Sequence, residues 1–129
     1  MSNVGIVFIS HSEKMAEGLK DLVLQAVGNI PVEAAGGTDE GEIGTSLEKI
    51  QEAIQRVHSD KGVLVLFDLG SSVMNAEIAI ELSGLEHIKI ADAPLVEGGY
   101  VAAVESSLGK SLDEVLHAAE HIRGKLKRA

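Results

Sequence analysis

Two stretches of the chain, Val4-Gly5-Ile6-Val7-Phe8-Ile9 and Gly62-Val63-Leu64-Val65-Leu66-Phe67, run without a polar interruption. Continuous, β-branched-rich runs of this length are the pattern of strands covered by helices on both faces, so both read as central parallel strands. Val32–Ala35 and His87–Ile90 are shorter candidates, the second alternating and placed nearer an edge. Between them lie apolar residues at helical spacing: Met15, Leu19, Leu22, Val23 and Val27; Leu47, Ile50, Ile54 and Val57; and Met74, Ile78, Ile80 and Leu82. Ser10 with Glu13, Thr45 with Glu48 and Ser111 with Glu114 have capping-box spacing, and Pro94 suits a first helical position. Val101–Leu108 and Leu112–Leu126 read as two closing helices separated by Gly109.

Strand and helix therefore alternate, and no linker, repeat or low-complexity tract divides residues 1–129, which read as one domain. The expected architecture is a three-layer α/β sandwich around a mostly parallel sheet. Right-handed crossovers leave few topologies, and for a short chain the flavodoxin-like order 2-1-3-4 is the leading one. That order sets strands one and three side by side, with the ligand crevice outside their carboxyl ends.

Composition narrows the function classes. There are no cysteines, which rules out disulfides and thiolate metal sites and suits a reducing compartment. The apolar runs are far shorter than the roughly 20 residues that cross a bilayer, and the expectation is a soluble, cytoplasmic chain. Twenty acidic against eleven basic residues give a net charge of −9, unsuited to nucleic acid. Arg123, Lys125, Lys127 and Arg128 read as the last turn of a helix, where cations complement free carbonyls.

The polar residues that follow the strands converge on one edge. Ser10-His11-Ser12 follows the first, Gly36-Gly37-Thr38-Asp39 the second, and Asp68-Leu69-Gly70-Ser71-Ser72 the third. The predicted order brings the His11 imidazole and the Asp68 carboxylate to neighbouring strand ends. A carboxylate accepting one ring N–H fixes the tautomer and leaves the other nitrogen as nucleophile or base. Gly70, Ser71 and Ser72 lead into a helix whose unpaired N–H groups suit an anion, and Gly36, Gly37 and Thr38 offer further donors. The same residues also have plain readings: Asp68 as a helix cap, and Gly36, Gly37 and Gly41 as turn glycines with positive φ.

Other patterns fail on inspection. Gly36 and Gly41 have P-loop spacing, but Glu42 stands where the lysine belongs; Gly109-Lys110-Ser111 has the other half, with Val104 in place of the first glycine. The chain is expected to hold no nucleotide, cofactor or metal of its own. His117 and His121 lie four apart on a helix with no third ligand evident, and His58 and His87 read as surface positions.

Several motifs in order, Ser10-His11-Ser12, Gly44-Thr45, Asp68-Leu69-Gly70-Ser71 and Ala93-Pro94-Leu95-Val96-Glu97-Gly98, resemble over essentially the whole length the mannose-type EIIA domains of the phosphotransferase system, in particular the branch serving bacterial dihydroxyacetone kinase. The resemblance implies phosphorylation of His11, with Asp68 as its orienting partner. It implies receipt of phosphate from the carrier HPr, delivery to ADP held on the kinase's nucleotide-binding subunit, and a homodimer. Some members carry fused HPr-like and enzyme-I-like domains absent from this chain, so its donor is expected to be a separate protein. Mannose-type sugar transporters usually show Gly-Gly-Ser-Pro after the aspartate; Gly70-Ser71-Ser72-Val73 favours the kinase branch. A sugar-specific EIIA, a receiver-like module phosphorylated on Asp68 and a pure binding module are the rival readings.

Overall fold

The computed structural model describes residues 2–128. Four parallel strands, β1 (Gly5–Ser10), β2 (Val32–Gly36), β3 (Val63–Phe67) and β4 (Ile88–Ile90), form one sheet in the order β2-β1-β3-β4. Five helices connect and close it: α1 (Glu13–Val27), α2 (Leu47–Val57), α3 (Val73–Ser83), α4 (Leu95–Ser107) and α5 (Leu112–Glu120). A 3-10 turn at Gly70–Ser72 leads into α3.

The unbroken apolar runs have the reason expected of them. Successive strand residues point to opposite faces, and here both faces are covered. Val4, Ile6 and Phe8 with Leu64 and Leu66 pack under α1, α4 and α5. Val7 and Ile9 with Val63 and Val65 pack under α2 and α3. The α4 layer comes close enough that a Cβ on Gly99 would stand 2.7 Å from the Phe8 ring, which explains a glycine inside a helix.

Helix faces differ from the expected ones where the buried residues are small. On α3 the core contacts are Ala76 and Ala79, while Met74, Ile78 and Leu82 are exposed. On α1, Ala16, Leu19 and Val23 face inward and Met15 and Leu22 outward. Only α2 buries its periodic residues Ile50, Ile54 and Val57 as the spacing predicts.

Caps and boundaries need correction too. The N-caps of α1 and α2 are Ser12 and Ser46, not Ser10 and Thr45. Ser10 still belongs to β1 and its hydroxyl is engaged elsewhere, while the Thr45 hydroxyl accepts from Asn75. The Ser111–Glu114 capping box is present. Pro94 is the N-cap of α4, which begins six residues before the expected Val101. Helix α5 ends at Glu120 rather than Leu126, and Gly124, at φ 75°, turns the chain. The terminal basic residues are therefore not a helix end: Arg123 pairs with Asp92 and Lys127 with Glu97. His58, at the C-cap of α2, bonds through Nε2 to the Glu86 carbonyl at 3.1 Å.

Candidate functional site

The pairing of β1 with β3, Ile9 beside Phe67, brings the residues that follow them together at the carboxyl edge of the sheet. His11 Nδ1 lies 2.9 Å from Asp68 Oδ1, with side chains 22% and 14% exposed. The other carboxylate oxygen, Oδ2, accepts from the His11 backbone N–H at 3.0 Å and from the Ser10 hydroxyl at 2.9 Å. The Leu69 N–H donates to Oδ1 at 2.7 Å. Ser10 is fully buried, and its oxygen also accepts from the Ser12 N–H, so one hydroxyl ties the carboxylate to the start of α1.

These bonds decide the charge of Asp68. Partial burial pushes its carboxyl upward, but the bonds from the His11 N–H, the His11 ring, the Ser10 hydroxyl and the Leu69 N–H outweigh it and hold the group below the ordinary carboxylate range. A carboxylate has only lone pairs to offer, so in the neutral imidazole the proton sits on Nδ1. Nε2 then carries a bare lone pair, and the Ser71 hydroxyl lies 2.9 Å from it. Ser71 belongs to the 3-10 turn opening α3, where the first N–H groups have no partner within the helix.

The remaining sequence candidates separate. Gly70 and Ser71 stand exposed at the edge beside the ring. Ser72 does not serve as a donor toward it: its side chain is fully buried and its hydroxyl donates to the Leu69 carbonyl at 2.8 Å. The N–H of Gly37 is likewise committed, to the Ser10 carbonyl at 3.1 Å, and its φ of 72° fits the plain turn reading. Thr38 exchanges bonds with Glu42 inside its own loop, accepting at its hydroxyl and donating from its N–H. That loop is nonetheless fixed to the site, because the Gly44 N–H donates to the His11 carbonyl at 2.9 Å. Sequence reasoning gave Ser10 a helix-capping role; its hydroxyl instead holds the Asp68 carboxylate, and its position one residue before His11 was the available signal. Among the described residues no group of His, Asp and Glu side chains has the arrangement of a metal site, His117 and His121 included.

The fold and edge together define an α/β domain that displays an imidazole, oriented by a carboxylate, at the switch point of a parallel sheet. The chain belongs to the EIIA-man family: its residues 5–116 match the family model described as the PTS system fructose IIA component. It is 35% identical to the phosphoryl donor subunit DhaM of the PEP-dependent dihydroxyacetone kinase 2 of Listeria innocua serovar 6a, over 92% of this chain and 98% of that protein. It is 38% identical to the phosphotransferase subunit DhaM of the PTS-dependent dihydroxyacetone kinase of Lactococcus lactis subsp. lactis, over 90% and 93% of the two chains. Among solved structures, that of a protein of unknown function, EF1359, superposes with a TM-score of 0.85 at 31% identity, covering all of both chains. No helix of the described residues is long and apolar enough to cross a membrane.

Proposed function

We propose that this chain is the phosphohistidine carrier of a dihydroxyacetone kinase: His11 accepts a phosphoryl group from phosphorylated HPr and passes it to ADP bound on the nucleotide-binding kinase subunit. The observation that carries the reading is the orientation of one ring, with Nδ1 on Asp68 and Nε2 bare beside Ser71. In the first transfer the Nε2 lone pair attacks phosphorus in line while the N–P bond of the donor breaks and its electron pair returns to the donor imidazole. In the second, a terminal phosphate oxygen of ADP attacks and the His11 N–P bond breaks. Phosphoryl transfer of this kind asks the protein mainly for positioning and charge stabilisation. Asp68 stabilises the ring as it becomes cationic, and Ser71 with the first-turn N–H groups of Gly70 and Ser71 receives the phosphoryl oxygens. Exposed Leu69 and Met74, flanking Ser71 in sequence, and Ile43, next to Gly44, supply apolar area for a protein partner at this edge.

On this reading the chain is a cytoplasmic subunit of a phosphoenolpyruvate-dependent phosphotransferase with no cofactor of its own, since the nucleotide stays on the acceptor. It acts as a homodimer, for which sedimentation equilibrium is the test. The names of the DhaM relatives support the kinase over the sugar-transport alternative. The deciding experiment incubates the chain with phosphorylated HPr and then with the ADP-loaded kinase subunit, following radiolabelled phosphate. Acid-labile, alkali-stable label on His11 that moves to ATP is expected. Label that is stable in acid, that appears in His11→Ala, or that goes only to a sugar-specific EIIB would overturn the reading.

A further inference from the structure

The carboxyl edge of the sheet is electrically two-sided. On the β2 flank the loop after Gly36 exposes Asp39, Glu40 and Glu42. On the β4 flank stands a different group. Helix α5 runs back toward this edge and ends at Glu120, whose carboxylate accepts from the Asp92 N–H two residues beyond β4. The segment that follows crosses the start of α4, anchored by Arg123 Nη1 on Asp92 at 2.8 Å and by Lys127 Nζ on Glu97 at 2.7 Å. It holds four of the eleven Lys and Arg residues of a chain whose net charge is −9: Arg123, Lys125, Lys127 and Arg128. All four are exposed. Strands lie about 4.8 Å apart with a rise of about 3.3 Å per residue, and Ile90 at the end of β4 stands level with Val7, three residues before Ser10, so the ends of β1 and β4 are roughly 14 Å apart. That exceeds the Debye length of about 10 Å at 0.1 M salt, so charge on one flank is felt at the other chiefly at lower ionic strength.

A cationic strap is not needed to hold this edge together. Its two anchoring pairs are exposed, and exposed pairs contribute little. What the placement does is put Lys125 and Arg128, the two cations outside those anchoring pairs, on the β4 flank of the edge of an otherwise acidic body. We infer that the strap 121–128 is the docking flank for the phosphoryl acceptor, meeting an anionic protein face around a bound nucleoside diphosphate, while the acidic β2 flank serves the donor. The inference rests on the carrier reading above. Of the two partners it is the acceptor that brings a polyanionic nucleotide to the edge, and charge complementarity acts chiefly on encounter rate and register.

The test reverses charge at Lys125 and Arg128, which are not the anchoring residues, and measures each transfer separately. For Lys125→Glu/Arg128→Glu the outgoing step to the ADP-loaded kinase subunit is expected to slow by about three- to tenfold at 50 mM salt, the deficit closing near 0.5 M. The incoming step from phosphorylated HPr is expected to stay within twofold of wild type. Equal slowing of both steps, slowing of the incoming step alone, or no change in either overturns the inference. Labelling of the unaltered chain by phosphoramidate, a small donor that needs no docking, separates the two levels. Label on His11 with unaffected outgoing transfer in the double variant rejects the strap and keeps the carrier; no label on His11 rejects the carrier itself.

Discussion

The Ser71 hydroxyl sits 2.9 Å from His11 Nε2, on the one ring nitrogen that Asp68 leaves without a proton. A serine there holds the resting ring by donating to its lone pair. On the proposed carrier reading, phosphorus takes that lone pair and the same hydroxyl is then free to turn toward a phosphoryl oxygen. Ser71→Ala should lower the rate of phosphoryl transfer roughly 10- to 100-fold, the loss of one neutral donor aimed at developing charge. Rapid-quench labelling by phosphorylated HPr measures it, and an unchanged rate would show that the serine only fills space.

Asp68 fixes both the tautomer and the acid limb of stability. Its native carboxyl lies below the ordinary range, burial opposing and four hydrogen bonds prevailing. A group depressed on folding adds stability that is complete above the unfolded value, about 3.9 for aspartate, and is lost as pH falls through the native value. Asp68→Asn should therefore unfold at lower urea than wild type at pH 7, the two midpoints converging as pH falls through the depressed native value. Transfer should fall by about 10²- to 10⁴-fold. Parallel midpoints across the whole pH range would remove the linkage.

Ser10 acts through Asp68. Removing its hydroxyl leaves Oδ2 with one donor fewer and the Ser12 N–H without its acceptor, in a fully buried position. Ser10→Ala should cost about 1–3 kcal/mol and move the acid limb of the urea midpoint toward higher pH. Ser10→Thr keeps the hydroxyl and should restore the limb even where its extra methyl lowers stability. A limb that ignores the hydroxyl in both variants would show that Ser10 is a packing residue alone.

Gly99 is constrained by Phe8 rather than by its own backbone. An added Cβ would stand 2.7 Å from one ring carbon and 3.2 Å from the next. Gly99→Ala should destabilise by about 1–3 kcal/mol through overpacking. Combining it with Phe8→Leu should cost less than the sum of the single changes, because the two sites share one space. Additive urea midpoints would place the strain elsewhere.

The legible parts of this molecule are those where one residue type forces one environment. Ile6 through Ile9 and Val63 through Leu66 have no polar residue to turn outward, so two covered central strands follow, and with them the meeting of His11 and Asp68 across β1 and β3. Helix faces built from small residues were not legible. Ala76 and Ala79 carry the buried contact of α3 while the larger Met74 and Leu82 stand outside, because the close approach of α3 to α2 selects for size before hydrophobicity. Pro94 marked a helix start, but the first turns of α4 up to Val101 carried no apolar period, since Gly98, Gly99, Ala102 and Ala103 form most of its buried face. Cap positions failed where hydroxyl residues come in pairs. Ser10 and Ser12, or Thr45 and Ser46, are told apart only by where the strand or loop ends. The commitment of the Gly37 N–H and the Ser72 hydroxyl to carbonyls is a matter of local turn geometry that composition does not carry.

The loop after β2 is bolted to the main chain on both sides of the ring-bearing residue, Gly37 onto the carbonyl of Ser10 and Gly44 onto that of His11. Its length is thus part of the aim of the imidazole, even though none of its side chains reaches the ring in a hydrogen bond. Lengthening the turn between these two amides by a single residue would pull on the His11 peptide like a misfitted bracket, and the first thing to go astray would be the direction in which the nitrogen points.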